Sequence, residues 1–286
     1  LQGFFVLKGV ITGPISETIA ASIAGGYNRR DGYVDDRGTG EQENERNRWF
    51  ARGQILIEPS NALTVRLIGD YSKIDENCCA AVNIRQSAAT GAIKAIGAPN
   101  TVVNAPSAMF DDVIYNNLAS TNEIENWGLS GQIDYELGPI NLTSITAYRR
   151  TAAVTNQDSD FTGADLLGRN YQDVRLKTFT QEFRAATNWD GPVNALLGAF
   201  YFNETVDQAN EIAWGADARS YANLLIQGAS GCPTGPRCTS VQALEAQLSP
   251  LVGRNLADTF FGSGQGLNES YRLKDEAYSV FGQLDF

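Results

Sequence analysis

The chain has 286 residues, with 22 basic and 33 acidic side chains, a net charge of −11 and no histidine. Such an acidic chain is a poor partner for nucleic acid, and the lack of histidine removes the commonest general base and metal ligand. No apolar run approaches the ~18 residues that mark a transmembrane helix.

The alternation of side chains predicts nine strands, at about 4–12, 18–28, 48–58, 63–73, 125–136, 141–152, 175–188, 195–206 and 275–286. Most reach the ~9–11 residues with which a tilted strand crosses a bilayer, against ~5–6 in an average globular strand. Ile19, Ala21, Ile23, Gly25 and Tyr27 alternate with smaller or polar residues. Trp49, Ala51, Gly53, Ile55 and Ile57 do the same, as do Trp127, Leu129, Gly131, Ile133 and Tyr135. In the last strand, Tyr278, Val280, Gly282 and Leu284 alternate with Ser279, Phe281, Gln283 and Asp285. Period two fits a soluble sheet with one covered face and also a barrel with lipid outside and a polar lumen. The stretch 195–202 is apolar on both faces and stays unassigned. Trp127, Trp189, Tyr71, Tyr148 and Tyr271 lie near strand ends, as interfacial girdles would place them.

Short turns and long loops alternate. Gly13-Pro14-Ile15-Ser16, Gly138-Pro139-Ile140-Asn141 and Gly191-Pro192-Val193-Asn194 each join two strands, and Pro59-Ser60-Asn61-Ala62 fills a comparable slot. Proline ends a ladder because it has no N–H to donate. Between these turns lie loops at about 29–47, 74–124, 153–174 and 207–274. The first is dense in charge, and the last holds a short helix over 240–249 with Ser240 as its N-cap. Short turns at one end and long loops at the other are the asymmetry of an outer-membrane barrel.

Candidate chemistry is sparse. Cys232 and Cys238 bracket a short segment that reads as a disulfide-closed loop in an oxidising compartment. Adjacent Cys78 and Cys79 leave three states open: two thiols, a vicinal bridge, or a long-range partner. The carboxylate pairs Asp158 with Asp160 and Glu123 with Glu125 lack any motif that places them in a pocket. No catalytic, cofactor or metal site is therefore expected. Residues 1–5 carry neither a basic region nor a cleavage site, and the chain reads as a piece of something longer.

Several segments taken in order, Gly13–Ser22, Arg29–Tyr33, Arg52–Ser60, Leu63–Ser72, Leu142–Arg149, Phe179–Arg184 and Tyr278–Asp285, resemble the β-barrel domain of TonB-dependent outer-membrane receptors of the sphingomonad type. The resemblance implies an all-β, antiparallel segment of a 22-stranded barrel. It begins near the second strand, with the plug domain, the TonB box and the remaining strands absent. Phe286 then reads as part of an internal strand that only mimics a terminal aromatic.

The implied function is uptake of a scarce, bulky solute across the outer membrane of a Gram-negative bacterium. The chain supplies the wall, and TonB–ExbB–ExbD act through the missing plug. A ferric siderophore is the expected ligand, with glycan, cobalamin or an aromatic compound as alternatives. Outer-membrane lipid and lipopolysaccharide are the expected surroundings. Arg149, Arg150, Arg219 and Tyr221 are the ligand-contact candidates, and Gln132, Asp134, Glu182 and Arg184 the lumen-facing ones. Leu129, Ile133 and Val280 are expected to face lipid. The competing reading is a soluble, secreted all-β carbohydrate-binding module.

Overall fold

The computed structural model describes residues 3–96, 103–229 and 239–286. Its strands are β1 (Phe4–Pro14), β2 (Ile19–Arg30), β3 (Val34–Asp36), β4 (Gln42–Glu43), β5 (Arg46–Ser60), β6 (Leu63–Asn77), β7 (Val113–Ile114), β8 (Thr121–Leu137), β9 (Ile140–Asn156), β10 (Leu167–Thr187), β11 (Asn194–Trp214) and β12 (Gly266–Asp285). The helices are α1 (Ala88–Ala95), α2 (Ala218–Ala229) and α3 (Val241–Val252). Cys232 and Cys238 lie outside the described residues. Among the described residues no helix is long and apolar enough to cross a membrane.

Nine strands form one sheet in the order β1-β2-β5-β6-β8-β9-β10-β11-β12, and every neighbouring pair is antiparallel. The sheet is an open meander with β1 and β12 at its edges. Four tight connections lie at one end and four long ones at the other. Of the three glycine–proline turns, the one at Gly138 has a positive φ of 58°. Followed by the fixed negative φ of Pro139, it matches a type II′ hairpin, whose twist suits the flanking strands.

The strands run past their expected ends toward the long loops: β10 starts at Leu167, β11 reaches Trp214 and β12 starts at Gly266. Out there both faces are polar, so alternation fades while the backbone ladder continues. Strands β3, β4 and β7 were not foreseen, and they form a second, three-stranded sheet. Helices α1 and α2 were also unforeseen. Helix α3 was expected, and Ser240 caps it by accepting from the Ala243 amide at 3.0 Å. Cys78 and Cys79 form a vicinal disulfide at the end of β6.

The buried apolar side chains sit almost wholly in the long connections: Val34, Ala92, Ile93, Ile114, Ala164, Ala218, Ala222, Val241 and Leu256. The large sheet has no comparable core. Its apolar face is open, with Leu129 61%, Leu197 67% and Ile23 68% exposed. Burying such a side chain fully contributes about 1.5–3 kcal/mol. In water, an uncovered face nine strands wide forgoes that at nearly every position.

Candidate functional site

The register assigns each side chain to one of two faces. One face carries an aromatic ring on every strand of the sheet: Phe5, Tyr27, Trp49, Tyr71, Trp127, Tyr148, Phe179, Tyr201 and Tyr278. Neighbouring rings touch, as in Trp49–Tyr71 at 4.9 Å, Trp127–Tyr148 at 5.4 Å and Tyr201–Tyr278 at 4.9 Å between centroids. Toward the short turns from this belt, the same face has no charged residue on any strand. One step beyond it toward the long loops stand Arg29, Lys73, Glu125, Arg150, Lys177 and Glu276.

The belt also drifts against the hydrogen-bond register. Tyr27 pairs directly with Trp49, Tyr71 with Trp127, Tyr148 with Phe179, and Tyr201 with Tyr278. At the other four steps it drops two residues toward the short turns. Trp49, for example, lies opposite Lys73 and not Tyr71, and Trp127 opposite Arg150 and not Tyr148. The mean drift is about one residue per strand. With ~3.4 Å per residue and ~4.8 Å between strands, the belt is level only if the strands tilt by about 35°. Transmembrane barrels have tilts of ~35–45°.

The opposite face is polar. Asp70 lies opposite Arg52 on one side and Gly128 on the other, and Arg149 follows beyond Gly128. Arg149 reaches across β8 to grip Asp70 with two hydrogen bonds, at 3.0 and 2.8 Å. Gly128 makes that reach possible, because a Cβ there would stand 3.0 Å from the guanidinium. Lower on the same face, Asp134 accepts from Gln132 and from the Thr143 hydroxyl, both at 2.7 Å. Glu182 and Arg184 pair with each other on this face. Leu129, Ile133 and Val280 lie on the aromatic face.

Of the other expected contacts, Arg150 lies on the aromatic face, opposite Trp127 and Lys177. Arg219 is committed to the loop fold. It binds both oxygens of Glu245, at 2.9 and 2.7 Å, and the Phe260 carbonyl at 2.9 Å. Glu245 is 1% exposed. The Arg219 hydrogen bond, helped by the Phe260 and Asp258 amides and opposed by burial, lowers its pKa to about 2. Tyr221 lines an apolar cavity of about 410 Å³ with Leu166, Leu167, Trp214, Leu225 and Phe261. That size falls within the ~300–1,000 Å³ of small-molecule pockets.

Of the other expected girdle aromatics, one points the other way and one lies at the opposite strand end. Tyr271 is on the polar face, where its hydroxyl bonds Gln208, and Trp189 sits in the β10–β11 turn at the far end. The carboxylate pairs have local partners. Asp158 accepts from the Asn117, Asp160 and Phe161 amides, and Asp160 from those of Thr162, Leu166 and Leu167. Glu123 pairs with Lys73 at 2.7 Å, and Glu125 accepts from the Tyr71 hydroxyl at 2.9 Å. These acids organise turns and strand edges.

No protein-family model matches the chain, and no curated protein matches it. Among solved structures it is similar to the ferric yersiniabactin uptake receptor of Yersinia pestis, with 13% identity and a TM-score of 0.53 over 98% of this chain. It is also similar to the outer membrane transporter YddB of Escherichia coli, with 12% identity and a TM-score of 0.46 over 73% of this chain. The chain spans 42% of the first of these and 26% of the second. At this identity the first likeness shows the fold alone: the all-β antiparallel sheet follows that of the uptake receptor.

Proposed function

We propose that this chain forms part of the wall of an outer-membrane uptake transporter energised through TonB. The aromatic belt carries the proposal. It crosses all nine strands, separates an uncharged zone from a charged row on the same face, and is level at a strand tilt of about 35°. A soluble carbohydrate-binding module has no use for such a boundary and would need a second layer over the open face.

In this reading the aromatic face meets lipid, and the charged row above the belt meets headgroups and lipopolysaccharide. The polar face, with Gln132, Asp134, Glu182 and Arg184, lines a lumen in which a plug would dock. The open edges β1 and β12 demand further strands, because unpaired backbone is not tolerated in lipid. A 22-stranded barrel with a plug from elsewhere in the protein would supply them. No bond is made or broken. The wall excludes lipid, and the long-loop end selects the solute.

The proposed solute is a ferric siderophore. Support comes from the sequence resemblance and from the similar receptor described as taking up ferric yersiniabactin. Tyr221, in its cavity with Trp214 and Phe261, is the best placed contact for a ligand bearing aromatic rings. Arg149 is neutralised by Asp70, so it attracts an anion only if that pair opens.

The test is fractionation of membranes from cells carrying the full-length protein, with uptake of iron-loaded siderophores after deletion of the gene. Outer-membrane location with a TonB-dependent uptake defect supports the proposal. Outer-membrane location with normal iron uptake keeps the transporter and removes the siderophore. A soluble secreted product overturns both.

A further inference from the structure

The small sheet of β3, β4 and β7 is built across two long connections. Val34 lies opposite Glu43 in the antiparallel pair, and Asp36 beside Ile114 in the parallel pair. Pleating therefore puts Val34, Asp36, Glu43 and Ile114 on one face, and all four are buried. Two apolar side chains on that face are ordinary. Two carboxylates beside them are not.

The acids are incompletely bonded. Oδ1 of Asp36 accepts from the Gly38 and Asn116 amides, both at 2.9 Å, and from Thr39 at 3.4 Å. Its Oδ2 has no partner, nor has either carboxylate oxygen of Glu43. The Ser120 amide points toward Glu43 and eases its charge without closing a well-formed hydrogen bond. Asn116 is 0% exposed, and both its side-chain amide atoms are unpartnered. Its backbone N–H donates to Asp36, which brings the residue itself against the same carboxylate.

Four buried oxygens without partners thus belong to three residues gathered at this small sheet: Asp36 Oδ2, Glu43 Oε1 and Oε2, and Asn116 Oδ1. An unmet buried polar group costs about 1–3 kcal/mol, and more when charged. Asp36, Glu45 and Asp158 all lay further negative charge on Glu43. Among the described residues no three acidic side chains converge as a metal-ligand set. Here the donors are two carboxylates and an amide, a hard all-oxygen set that suits calcium, whose ~6–8 ligands routinely include carbonyls and water.

We infer that Asp36, Glu43 and Asn116 form a calcium site that clasps the β2–β5 connection to the β6–β8 connection. The cation would meet the orphaned oxygens and cancel the local negative charge. It would lock the small sheet over the long-loop end. The inference does not need the transport reading, since it rests on a buried cluster in the loops.

The test uses the full-length protein purified in detergent and stripped with a chelator. Calcium binding is measured by titration calorimetry, and cleavage within residues 31–45 is timed in calcium, in magnesium and in chelator. Expected are saturable calcium binding and cleavage at least about tenfold faster in chelator, a difference of ~1.4 kcal/mol. Glu43→Gln should weaken binding by at least about tenfold, whereas the exposed neighbour variant Glu41→Gln should not. Cleavage that ignores calcium in the unmutated protein overturns the site without relying on any variant. So does Glu43→Gln that binds normally or is cleaved more slowly, which would mean the acid is simply held protonated.

Discussion

Arginine at Ile133 against arginine at Gln132 is the sharpest test of the two-faced sheet. These neighbours share a strand and a depth and differ only in direction. On β8 the aromatic face runs from Trp127 to Leu137, ten residues or ~34 Å along the strand. The ~35° tilt turns this into about 28 Å along the membrane normal, against the ~25 Å apolar band of known barrels. The midpoint falls at residue 132, so Ile133 is within ~3 Å of the midplane. Ile133→Arg should therefore cost about 2–4 kcal/mol in the full-length barrel. Gln132→Arg gains the Asp134 carboxylate, which already accepts from Gln132 at 2.7 Å. It should stay within about 0.5 kcal/mol. The assay is urea-induced unfolding in lipid vesicles, with outer-membrane abundance as the cellular readout. Equal costs at the two positions would refute the face assignment, and a larger cost at Gln132 would invert it.

Other expectations follow from single contacts. Gly128→Val should push the Arg149 guanidinium off Asp70, because a Cβ at that position would stand 3.0 Å from the guanidinium. The pair is exposed, so stability should fall by less than about 1 kcal/mol, while solute uptake changes if the lumen wall matters. Arg219→Met should leave Glu245 buried with only backbone amides and loosen α3 by about 1–3 kcal/mol, read by hydrogen exchange. Tyr221→Ala should enlarge the cavity beside Trp214 and weaken solute binding at least about tenfold if the solute enters there; unchanged binding would move the contact elsewhere.

Most of the sheet is legible because strands with one apolar and one polar face must alternate. Leu129 and Ile133 against Gln132 and Asp134 already separate the faces of β8. The strand 195–202 resisted because Leu196, Phe200 and Phe202 are apolar on the polar face. Only pairing with β10 and β12 assigns them. The belt was half visible: Tyr71, Trp127 and Tyr148 could be noticed, but Tyr271 looks the same in a sequence and faces the other way. A ring's face depends on register, and register is set by partners far along the chain. The buried acids Asp36 and Glu43 were hidden for the opposite reason. They sit in a charged loop that reads as solvated, and nothing local shows that β7 will arrive beside them from residue 113.

The loop end behaves as a small protein of its own, and acid should reveal it. The Glu245 pKa is about 2 in the folded cap and 4.5 in an unfolded one, lowered chiefly by Arg219. A depressed carboxylate stabilises the fold above the unfolded value, and that stability is lost as pH falls from about 4.5 through about 2. In the proposed barrel the sheet is held by backbone pairing and apolar contact with lipid, neither of which titrates in that range. Lowering the pH over this window should therefore raise protease access and hydrogen exchange in α2 and α3 while β8 and β9 stay protected. Arg219→Met should flatten the acid sensitivity of the cap, because its cause is gone. If sheet and cap open together, the cap is not a separate unit, and the assignment of stability to the Arg219–Glu245 pair fails.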